Sequence, residues 1–102
     1  MIAVDCPLQV SEQAGGPVRP VRTHVTAESV ITICADEFGG LYYHRSSSAG
    51  EIVLRADQID GGTYVATSQV DGSTFVYRVN DHELIVEENG FVLVRQPVTS
   101  SG

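Results

Sequence analysis

The chain contains no lysine and no tryptophan, and its six basic residues are all arginine. Nowhere does an apolar run approach the roughly 18 residues that a membrane-spanning helix needs. No basic stretch followed by an apolar one opens the sequence, so no secretory leader is legible. Thirteen acidic residues against those six arginines leave a formal charge of −7. That balance disfavours nucleic acid, whose phosphates are met by clustered Lys and Arg, and it disfavours an anionic membrane surface. It suits a basic protein partner, because opposite fields speed encounter; it also serves solubility alone.

The chemical motifs are missing too. There is no GxGxxG, phosphate-binding loop or calcium loop, and no cofactor is implied. Ser46, Ser47 and Ser48 lie near His44 but without the GxSxG elbow of a hydrolase, and a serine run between strands reads as a mobile loop. His24, His44 and His82 are scattered over turns and strand ends, which does not make a metal site. Glu51, Asp57, Asp60, Asp71, Asp81, Glu83, Glu87 and Glu88 are not placed by any motif as a facing carboxylate pair; they read as a solvated face. No catalytic residue is assigned, and the chain reads as non-enzymatic. Tyr42, Tyr43, Tyr64 and Tyr77 supply either core packing or an aromatic patch.

What is present is a β pattern in a chain of 102 residues, the size of one domain. Ser29–Ala35 is rich in β-branched residues and Leu41–Arg45 returns from it across Asp36–Gly40. Glu51–Arg55 alternates, with Ile52 and Leu54 on one face. Thr63–Gln69 and Thr74–Val79 flank Asp71-Gly72, and Phe75, Tyr77 and Val79 share a face. Glu83–Glu87 and Phe91–Gln96 flank Asn89-Gly90. Both Gly-containing pairs are strong hairpin signals. Turns at this spacing point to an all-β fold: a small antiparallel meander, curled into a sheet or barrel of roughly six to eight short strands. Curling follows from accumulated twist and removes exposed edges. Residues 1–28, punctuated by Pro7, Gly15-Gly16, Pro17 and Pro20, read as an irregular N-terminal arm packing on the body. Residues 29–97 form the β domain, and 98–102 a frayed tail. A ligand-carrying barrel must be hollow; a body of about 70 residues is expected to have its interior filled by side chains.

Cys6 and Cys34 are an even pair in a small domain, where a disulfide is useful. Closing that loop of roughly 29 residues would stabilise by about 3–4 kcal/mol in the chain-entropy model and would imply an extracytoplasmic location. The alternative is two buried thiols acting as small hydrophobes.

One stretch carries a family resemblance. Ile31-Thr32-Ile33-Cys34, a Gly-containing turn and Leu41-Tyr42-Tyr43 resemble the opening hairpin of the bacterial periplasmic or membrane-bound inhibitors of C-type lysozyme. The likeness extends through Val53-Leu54, the strand from Ser73 to Tyr77 and the Asn89-Gly90 hairpin. It implies a small eight-stranded antiparallel barrel stapled by a disulfide, and an inhibitory loop carrying Ser and Tyr in an S-G-x-x-Y motif. Ser73 and Tyr77 match that spacing, Thr74 stands in place of the motif glycine, and Glu88-Asn89-Gly90 replaces the lysine-bearing turn. The expected contacts are Ser73, Tyr77, Asp71 and Glu88. The functional expectation is an extracytoplasmic module binding a basic cell-wall hydrolase. Its alternative is a structural or sensory accessory domain of a lipoprotein or membrane receptor.

Overall fold

The computed structural model describes residues 6–102. A short helix, α1 (Leu8–Ala14), precedes eight strands: β1 (Val18–Thr26), β2 (Ser29–Asp36), β3 (Leu41–Ser47), β4 (Gly50–Asp60), β5 (Thr63–Val70), β6 (Ser73–Val79), β7 (Glu83–Glu88) and β8 (Phe91–Ser101). Each strand pairs antiparallel with the next, and β8 returns to β1, closing a barrel. The all-β meander expected from the alternation is therefore the fold, in its closed form. Asp71-Gly72 (φ 51° and 82°) and Asn89-Gly90 (φ 50° and 88°) both have the paired positive φ of a type I′ turn.

The expected boundaries change at both ends. The segment read as an irregular arm holds α1 and the whole of β1, although Met1–Asp5 lie outside the described residues. Pro7 before α1 and Gly15 (φ 77°) after it bracket good helix formers. β1 was hidden by its prolines. Pro20 lies opposite Cys34 at a register shift, and this part of β1 pairs with β2 alone, so no ladder bond is lost on the other side. The segment read as a frayed tail is the closing seam: Thr26 pairs with Val98 and His24 with Ser101. Gly102 and Thr23 exchange backbone bonds of 2.9 Å in both directions.

Two seams are short. β1 and β8 pair only from His24–Ser101 to Thr26–Val98, and β4 and β5 only from Ala56–Ala66 to Asp60–Thr63. These seams face each other across the barrel, so the molecule is two four-stranded halves, β1–β4 and β5–β8. The β1–β2, β3–β4, β5–β6 and β7–β8 turns gather at one end, here called upper.

The lower interior is filled by Ile33, Tyr43, Ala56, Tyr64, Ala66, Val79, Leu84 and Val86, all buried. On the outside of β2–β4, α1 lays Val10 against Cys34 and Tyr42. A helix of seven residues is too short to persist alone. The Cys6–Cys34 disulfide ties it down, with a Cα–Cα separation of 6.1 Å.

Candidate functional site

Strand pairing decides which side chains face the lumen, since directly opposed residues share a face. Tyr77 pairs with Ala66 and Val86, two core residues, so it points inward. Two residues back, Phe75 is inward as well, opposite Ser68 on one side and Glu88 on the other. Ser73 is inward at the rim, opposite Val70, and Phe91 is inward opposite Glu88. Asp71 is exposed on the adjoining turn. Ser73, Tyr77, Asp71 and Glu88 therefore gather at the upper end.

Those four residues are not alone there. Val70 is 52% exposed and Phe91 75% exposed, while Phe75 and Tyr77 are half-buried. From the facing half come Arg45, which pairs with Ile52 and Ile31, together with Ser47 and the buried Ser29. Arg45 Nε donates to Ser29 Oγ at 3.1 Å. A cavity of about 210 Å³ lies between Arg45, Ser47, Gly50, Ile52 and Tyr77. The interior is filled by side chains as expected, and a partly open cavity remains at the upper mouth beside the β3–β4 turn. The physical reason is the β4–β5 seam, which stops at Ala56–Ala66 and leaves the first half of β4 without a partner on that side.

Sequence reading missed Arg45 and Phe91. Arg45 was legible in principle, because Leu41, Tyr43 and Arg45 alternate on one face of β3. Phe91 was not, because a register shift between Val86 and Glu87 resets the parity of β8.

The lower end is chemically different. Arg22 pairs with the Asp81 carboxylate through two nitrogens. That donation holds Asp81 down at about 2, and Asp81 in turn raises the Arg22 guanidinium. Inside the pair, His24 is fully buried, edge-on to Tyr64 at 6.4 Å. Its Nε2 lies 3.2 Å from Asp81 Oδ1, yet without hydrogen-bond alignment, so neither ring nitrogen is bonded. Burial lowers the His24 pKa, outweighing the attraction of Asp81.

The other candidates separate. His44 faces outward, its Nε2 2.9 Å from Glu51 Oε1. His82 lies in the β6–β7 turn. The three histidines do not converge, and no group of three His, Cys, Asp or Glu that could hold a metal ion occurs among the described residues. The tyrosines do not form one patch. Tyr42 packs outside against Val10, and the other three face inward. Burial raises the Tyr43 hydroxyl well above the usual phenol range, and that hydroxyl has no hydrogen-bond partner.

The upper end thus offers a guanidinium, hydroxyls and apolar surface around an opening, which are groups for holding a ligand or partner. No family model matches the chain, and neither a curated protein nor a solved structure matches it.

Proposed function

We propose that this chain is a non-enzymatic, extracytoplasmic binding module whose upper rim docks a basic protein. A cell-wall hydrolase of the lysozyme type is the partner that the sequence resemblance implies. The observation that carries the reading is the gathering of Ser73, Tyr77, Asp71 and Glu88 at one end, beside the exposed Val70 and Phe91. Exposed apolar side chains rimmed by polar groups mark interaction sites. The rim adds Glu28 and Glu51 near the neighbouring turns, and the net charge of −7 favours a cationic surface. A Cys6–Cys34 disulfide fits an oxidising compartment. No helix among the described residues is long and apolar enough to cross a membrane.

The test is a calorimetric titration of the oxidised protein with a C-type lysozyme at low and high salt. At about 20 mM salt, where the Debye length exceeds about 20 Å, the dissociation constant should be micromolar or tighter, and it should weaken at least about tenfold at about 0.3 M. Asp71→Asn with Glu88→Gln should slow association several-fold while leaving the fold intact. No measurable complex at low salt would remove the hydrolase as partner.

A further inference from the structure

We propose that the upper mouth of the barrel is also a site for a small monocarboxylate with a short apolar or aromatic body. This reading shares Tyr77 with the proposed docking rim but does not rest on protein docking there. It starts from the two arginines that face the lumen. Arg22, at the lower end, is paired with Asp81. Arg45, at the upper end, has no carboxylate of the described residues within ion-pair distance; its one side-chain partner is the neutral Ser29 hydroxyl. Both terminal nitrogens of Arg45 are left without a protein acceptor among those residues. A half-buried guanidinium without a counter-charge is costly. Its planar fork matches a carboxylate through two parallel hydrogen bonds.

The carboxylate bordering this cavity does not fill that role. Glu51 is on the outward face of β4, where Oε1 meets His44 Nε2 at 2.9 Å and Oε2 accepts from Gln9 at 3.4 Å. The cation is therefore open to an anion from outside, even in a chain of strongly negative charge.

A second unpaired group lies deeper on the same inward face. The Tyr43 hydroxyl is buried, with no hydrogen-bond partner. Tyr43 precedes Arg45 by two residues on the same inward face, and its ring lies 5.6 Å from that of Tyr77, which lines the cavity. Burial keeps it neutral, and the Arg45 charge only partly opposes that effect. Buried polar groups are nearly always bonded, and this hydroxyl is an unpaired donor on the strand that carries Arg45.

Size and surface set the rest of the ligand. The cavity measures about 210 Å³, with Ile52 and Tyr77 as its apolar walls. A dry cavity of about 150 Å³ is enough to admit benzene, so benzoate fits. The gap left by the short β4–β5 seam provides the way in.

The experiment is an amide-resonance titration of the oxidised protein with benzoate, benzyl alcohol and benzylamine in parallel. Benzoate should saturate, shifting residues 45–52 and Tyr77, and should bind at least about tenfold more tightly than the alcohol. Benzylamine should not bind. Arg45→Gln should bring benzoate down to the level of the alcohol. Tyr43→Phe should raise the melting temperature of the unliganded protein, because it removes an unsatisfied hydroxyl. Equal binding of acid and alcohol to the unaltered protein would overturn the proposal without recourse to any variant, as would the absence of a saturable benzoate response. Arg45→Gln with its acid preference intact would do the same. Lysozyme and benzoate are titrated separately into the unaltered protein, so failure of either reading is distinguishable from failure of the other.

Discussion

The two halves of the barrel use the same strand geometry but are buried very differently. In β1–β4 the central strands are covered on both sides. Ile31, Ile33 and Tyr43 face the lumen, and Thr32, Cys34 and Tyr42 lie on the outer face, all buried. In β5–β8 the outer face is bare. β8 contains no buried residue, and Val92 and Leu93 are each more than half exposed. The difference comes from one short helix and one disulfide, which give the first half a second layer. A small chain cannot cover all its surface. Here the covering is concentrated on one half, and the other half keeps apolar side chains free at the upper end.

The strongest way to break that contrast is to remove the staple. Replacing Cys6 and Cys34 together with serine and alanine should cost about 3–4 kcal/mol of unfolding free energy, measured by urea titration. Amides of β2 and β3 should lose exchange protection as α1 lifts away. A cost below about 1 kcal/mol would mean that packing of Val10 alone holds the helix, and the disulfide would lose its place in the account.

A smaller effect lies at the seam between the halves. His24 is buried without a hydrogen bond and its pKa is lowered from 6.5. The unfolded chain therefore binds more protons than the folded one once the pH falls below about 6.5, and stability declines from there towards the lowered value. Asp81 acts in a separate window. It is held at about 2 against an ordinary 3.8, so its contribution is present above 3.8 and lost as the pH falls through about 2. Urea midpoints between pH 7 and pH 2 should show both declines. His24→Gln should flatten the upper one and leave the lower. A profile unchanged by that substitution would show that the seam opens by another route.

The smallest effect should come from the bare half. Phe91→Ser changes a side chain that is 75% exposed, so the unfolding free energy should move by less than about 0.5 kcal/mol. A loss of core size, about 3 kcal/mol or more, would mean that Phe91 packs as the core does and that the two halves are not different in kind.

Much of this fold was legible before any coordinates. The β-branched run at Ser29–Ala35, the alternation of Ile52 with Leu54 and the shared face of Phe75, Tyr77 and Val79 all recur as strands in the expected order. The candidate site was legible only in pieces. Ser73, Tyr77, Asp71 and Glu88 come to one end, but their neighbours Arg45 and Phe91 escaped notice. β1 was obscured by Pro17 and Pro20, and the closing stretch Val98–Ser101 by its polar composition.

Local order in this protein was determined by its sequence alone. Period-two alternation and residues that tolerate positive φ act within a few positions, so hairpins such as those at Asp71-Gly72 and Asn89-Gly90 are written directly in the chain. Closure was decided only in three dimensions. The β1–β8 seam joins segments more than 70 residues apart through a few backbone pairs and little apolar surface, leaving no periodic trace. The same holds for the gap above Ala56–Ala66. Its position depends on the register accumulated around the whole barrel, and that register is what leaves Arg45 facing an open space.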